Sequence, residues 1–153
     1  NTLGVILKNA GIDCNEIEVK SNEVFFLRDN QLVFPVAAKE KLVKKADGWA
    51  LDIYVFSPRP LDDLLIEPNM PKLTLVVKAK ECQLAINDKA YVAASQNRHE
   101  ATYKELPLLQ GWNKVSIKIG ERDKNEFSGN FRCDNRNEFL SSLKVMFVNP
   151  EVK

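Results

Sequence analysis

The residues able to do chemistry in this chain are few and widely separated. One histidine occurs, His99, inside the polar run Ser95-Gln96-Asn97-Arg98-His99-Glu100. A nucleophilic triad needs a base beside a nucleophile, and a zinc site needs several ligands at set spacings; His99 has neither for company. Cys14, Cys82 and Cys133 form no CxxC pair. Cys82 and Cys133 fall inside alternating runs and read as small buried hydrophobes, with one disulfide and a spare thiol as the alternative. No glycine-rich phosphate loop and no GxSxG turn occurs. Two carboxylates suffice for glycoside hydrolysis, and Asp62-Asp63 or the Asp134 and Glu138 pair are the candidates. Adjacent acids in a loop are ordinarily solvated, so no reaction is expected. The oxygen-rich stretches 121–126 and 134–138 could supply calcium ligands, yet both lack EF-hand spacing and carry cations. No cofactor is expected, and a structural calcium ion is the weaker alternative.

Composition narrows the class further. The 153 residues suit one domain with a proper core, at 44% hydrophobic and 28% charged. Lys and Arg number 22 against 21 Asp and Glu, a formal net charge of +1. Nucleic-acid binding draws on a basic surface, so no nucleic-acid partner is expected. No apolar run approaches the roughly 20 residues that span a bilayer, so no membrane insertion is expected. The chain opens on Asn1-Thr2-Leu3-Gly4 without a basic and apolar leader, and reads as a segment of a larger protein.

The elements that must position any site are strands. Trp49, Leu51, Ile53 and Val55 alternate with Ala50, Asp52 and Tyr54; Leu73, Leu75, Val77 and Ala79 alternate with polar neighbours. From 112 to 119, Val115, Ile117 and Ile119 point inward while Lys114, Ser116 and Lys118 point outward. This period of two describes antiparallel sheets with one wet face. Shorter strands are predicted at 16–20, 23–28, 31–36, 82–87, 90–93, 127–133 and 143–148. Asn87-Asp88 reads as a hairpin turn, because Asn and Asp tolerate positive φ. The proline-rich stretches Ser57-Pro58-Arg59-Pro60 and Pro68-Asn69-Met70-Pro71 read as loops. Residues 37–46 are rich in helix formers with Gly48 at a capping position, which predicts one short helix with a solvated lysine face. The fold class expected is all-β, an antiparallel β-sandwich, with 1–47 as a possible N-terminal extension or linker.

The run Leu108-Leu109-Gln110-Gly111-Trp112-Asn113-Lys114-Val115-Ser116-Ile117-Lys118 resembles the L-x-x-G-W-N-x-V-x-I-K segment of jelly-roll accessory domains beside bacterial glycoside hydrolases and sugar esterases. These are galactose-binding-like sandwiches. The stretch from Leu84 to Val92 looks like the family's V-x-x-N-G-K hairpin, with Asp88 in place of glycine, and Asn130-Phe131-Arg132-Cys133 looks like its F-x-L-R-L strand. The likeness covers about 49–150. Structural roles follow for three residues: Gly111 permits a tight strand entry, Trp112 caps the core and is not expected to contact ligand, and the Asn113 side chain bonds backbone groups of its own turn.

The resemblance implies a carbohydrate-binding module of a secreted, periplasmic or cell-surface polysaccharide-processing enzyme. Its sugar contacts would lie on loops and hairpin ends: Tyr91, Asn97, Arg98, His99 and Tyr103 on one side, Arg132, Asp134, Asn135 and Arg136 near another. It equally accommodates a structural domain packed on a catalytic neighbour of the same chain, since a fold does not fix a function. The 8% aromatic share leans toward that second reading, because sugar platforms need exposed rings.

Overall fold

A computed structural model of the chain describes residues 24–61 and 70–150. The strand expected at 16–20, together with Cys14 and the Asp62-Asp63 pair, lies outside the described residues. The described strands are β1 (Phe26–Arg28), β2 (Gln31–Val33), β3 (Val43–Lys45), β4 (Gly48–Ser57), β5 (Leu73–Lys78), β6 (Cys82–Ile86), β7 (Lys89–Tyr91), β8 (Ser95–Gln96), β9 (Ala101–Leu106), β10 (Gly111–Gly120), β11 (Ser128–Arg132) and β12 (Lys144–Met146). One sheet runs β1-β2-β11-β5-β9-β8 and the other β12-β4-β10-β6-β7, with β3 also paired to β4. All pairings are antiparallel. Within them, β2-β11-β5-β9 faces β4-β10-β6-β7, the interleaved order of a jelly roll. The all-β sandwich read from alternation is the architecture found.

The core lies between the sheets. Leu51, Ile53 and Val55 of β4, Val115, Ile117 and Ile119 of β10, and Leu84 and Ile86 of β6 face Leu73, Leu75 and Val77 of β5 and Phe131 of β11. Phe25, Leu32 and Phe34 belong to the same cluster, so the stretch holding β1 and β2 is integral to the sandwich. Phe34 packs so closely on β11 that a Cβ on Gly129 would stand 2.8 Å from its ring.

Two turns carry the expected chemistry. Asn87 and Asp88 sit at φ 51° and 68° between β6 and β7, and Asp29 and Asn30 at 51° and 61° between β1 and β2. Positive φ at both central residues matches the right-handed twist of the flanking strands. Asp88 therefore fills the turn without glycine.

The helix departs from expectation in extent. It is one turn, α1 (Ala38–Lys41), and Leu42 is already extended. Val43–Lys45 pairs with β4, Val43 opposite Ala50, because a β-branched residue beside an unpaired strand edge gains more as a strand than as helix. Gly48 is not a helix cap. A Cβ there would meet the Ile119 carbonyl oxygen at 2.1 Å, so glycine is required for β4 and β10 to approach.

Candidate functional site

Apart from Tyr91, on β7 of the second sheet, and Tyr103, the residues expected to bind are split between opposite ends of the first sheet. Asn97, Arg98 and His99 occupy the turn between β8 and β9, beyond the Lys78 end of β5, whereas Arg132 lies opposite Thr74. Those positions are about 13 Å apart along the strands and about 14 Å across them. Asn97 is consumed by its own turn: its Oδ1 accepts from the His99 N–H at 2.7 Å and the Glu100 N–H at 2.9 Å. Arg98 and His99 are exposed. Gln96 anchors this turn, its Nε2 lying 2.7 to 3.2 Å from the carbonyls of Ala79, Lys80, Asn97 and Glu100. At the other end Arg132 pairs with Asp134 at 3.3 Å, Arg136 pairs with Glu138, and Asn135 ties the turn to Met70 and Lys72.

Tyr103 was expected on a loop and is instead inside β9, 2% exposed, between the sheets. Burial, reinforced by the Cys82 thiol that bonds it, raises its hydroxyl pKa. Cys82 in turn is pushed up to about 11, chiefly by burial. Both Cys82 and Cys133 are free thiols. Tyr91 is half-buried, packed on the core, with Lys89 Nζ 5.7 Å from its ring centre.

The acids proposed for calcium are also committed. Asp123 accepts from the backbone N–H groups of Lys80, Glu81 and Gly120 at 2.9 to 3.1 Å, and Glu121 pairs with Lys44. Among the described residues no group of three His, Cys, Asp or Glu side chains converges. Nor is any described helix long and apolar enough to cross a membrane.

A different surface gathers the rings. Since Leu51, Ile53 and Val55 point into the core, Asp52, Tyr54 and Phe56 point out of the second sheet. By the same alternation Trp112 shares the outer face with Lys114, Ser116 and Lys118; it does not cap the core. Trp112 stands opposite Phe56 and packs edge to face on it, ring centres 5.5 Å apart, while Lys144 Nζ lies 5.4 Å over the Phe56 ring. All three aromatic residues are half-buried, so each keeps surface in water. On the first sheet, by contrast, Thr74, Val76 and Thr102 are buried although they point outward.

Next to Tyr54 the edge of the second sheet is interrupted among the described residues. β3 covers β4 from Gly48 to Ala50 and β12 covers it from Tyr54 to Phe56. The intervening orientation follows from the ladder. Asn87 N–H donates to the Lys114 carbonyl at 2.8 Å, so Lys114 faces β6 and Val115 faces β4. Ile53, opposite Val115, then points to β10, and the main-chain N–H and C=O of Asp52 point to the uncovered edge. A groove of about 300 Å³ opens there, lined by Lys41, Val43, Lys45, Asp52, Tyr54 and Phe147. It offers two rings, an open backbone rung, a carboxylate and ammonium groups. The signal was present in the alternation, where Tyr54 and Trp112 are out of phase with the core residues.

The fold and this surface define a jelly-roll β-sandwich with an aromatic outer face. No protein-family model, curated protein or solved structure matches the chain.

Proposed function

We propose that this chain is a non-catalytic carbohydrate-binding module of a larger secreted polysaccharide-processing enzyme, and that it holds sugar on the outer face of its second sheet. The observation that carries the reading is the set Tyr54, Phe56 and Trp112 on one sheet face, continuous with the groove at Asp52. Aromatic rings receive the C–H faces of pyranoses, and a small number of polar groups fixes orientation. The motif likeness around Gly111-Trp112-Asn113 supports the same class. Saturable binding on a glycan panel, weakened by Tyr54→Ala or Trp112→Ala and untouched by Arg98→Ala, is the expected result. Binding that only Arg98→Ala weakens would move the site to the β8–β9 turn.

One observation favours a second reading, a structural domain packed on a catalytic neighbour. Phe26 and Leu27, on the edge strand β1, are 44% and 53% exposed. Apolar side chains on a strand that ends its sheet among the described residues suit a protein contact. Silence of the folded chain across the whole panel would favour it.

A further inference from the structure

We infer that the groove beside Tyr54 takes an acidic saccharide, one whose carboxylate is received by Lys45 and by the open N–H of Asp52. The inference rests on the carbohydrate-binding reading and names the ligand class of the same site.

Shape comes first. Between Ala50 and Tyr54, about 13 Å apart, the edge is uncovered among the described residues, and β3 and β12 close it at both ends. An extended peptide adding to a sheet edge needs a run of alternate rungs and a free path along the strand. Among the described residues, Asp52 alone presents its rung here. A compact ligand with acceptors and donors close together fits better than a strand.

Charge decides the class. Around this face Lys118 is paired with Asp47 at 2.8 Å and Lys114 with Asp88 at 2.9 Å, so those lysines are already compensated. Lys44 points to the other side, toward Glu121 and the Trp49 ring. Lys45 lines the groove and, among the described residues, forms no ion pair. Lys144, over the Phe56 ring, likewise carries no ion pair among them. The acid in the groove is the Asp52 side chain, which can accept sugar hydroxyls while the Asp52 N–H and the Lys45 ammonium donate. Charge-assisted hydrogen bonds are roughly twice as strong as neutral ones, so a carboxylate gains more from this donor pair than a hydroxymethyl group does.

The test titrates the 153-residue chain with oligogalacturonate and with the same oligomers after their carboxyls are reduced to hydroxymethyl groups. Alginate and hyaluronan oligomers extend the acidic set. The expected result is binding of at least one acidic series about tenfold tighter than its neutral counterpart. That preference should shrink in 0.5 M salt by about the same factor, and disappear in Lys45→Gln. Lys45 is exposed, so the variant folds, and Tyr54→Ala should weaken acid and neutral forms alike. Equal binding of neutral and acidic oligomers, or loss of both together in Lys45→Gln, would overturn the acidic preference and leave the module reading standing. Failure of all acidic series while neutral glycans bind would do the same. No binding to any glycan would remove both, and retention of an extended peptide instead would replace them with strand addition.

Discussion

The side-chain amide of Asn87 donates to the side-chain oxygen of Asn113 at 2.9 Å, joining the β6–β7 turn to the start of β10. Asn113 is 1% exposed and makes five such contacts. Its oxygen also accepts from the Leu109 N–H at 2.8 Å, and its amide lies within reach of the carbonyls of Val55, Leu109 and Gly111. Asn87 adds its own backbone and side-chain bonds to Lys114. Two asparagines thus fix the hairpin, the 109–111 turn and two strands of the second sheet relative to each other, directly behind Trp112.

Asn113→Ala should cost about 2–4 kcal/mol, because truncation strands several buried partners without a bond. Urea unfolding measures it. A cost below about 1 kcal/mol would mean water replaces the amide and the network is not what holds the turn.

Gly48→Ala should be among the most damaging small substitutions. The added methyl would lie 2.1 Å from the Ile119 carbonyl, and the obstruction is backbone rather than a movable side chain. A loss of at least about 2 kcal/mol is expected in the same unfolding assay. Gly111→Ala meets no atom within 4 Å but must hold φ at +97°, so its cost is conformational, about 1 kcal/mol.

Cys82 should label slowly in the folded protein. With its pKa raised to about 11 from 9.0, the thiolate share at pH 8 falls about a hundredfold. Mass-resolved alkylation under native and denaturing conditions reports it; equal rates in the two would show the thiol to be open.

The same group gives a pH dependence with a definite sign. The folded state holds the Cys82 proton more tightly than the unfolded chain, so its contribution is complete below pH 9 and is lost as pH rises toward 11. Tyr103, also raised, continues the loss at higher pH. Stability should fall across pH 9–11 in the wild type and fall less steeply in Cys82→Ala. Identical slopes would exclude Cys82 as the source.

Trp112→Ala should separate binding from folding. The ring is half-buried on an outer face, against Phe56, so truncation should cost about 1 kcal/mol of stability. Loss of at least about tenfold in glycan affinity is expected beside it, from the stacking a bare surface cannot supply. A large stability loss with intact affinity would return Trp112 to a purely structural role.

Much of the frame was legible in the residues. Alternation located β4, β5 and β10, and Asn87-Asp88 located a turn, because both signals depend on local backbone geometry. Tyr103 was not legible. β9 has a register shift, and Glu105 stands at φ 55°, so its apolar residues do not keep one period and the run reads as polar loop. The 37–46 stretch misled for the opposite reason, since its helix propensity is real but the edge of β4 outcompetes it at Val43. Trp112 was misread despite clear phase with Lys114 and Ser116, because the family likeness of the Gly111-Trp112-Asn113 segment suggested a structural cap. The groove lay beyond local pattern altogether, since it arises where two strands distant in sequence stop short of each other.

That gap separates two properties usually entangled in small domains. Its length is set by where β3 and β12 end, three-residue segments at the margin of the sandwich, while β4 and β10 beneath carry the interior packing. Adding or trimming residues at either margin would resize the opening without disturbing the layer behind it. The size of that opening can therefore diverge among descendants of this chain at little risk to their folding.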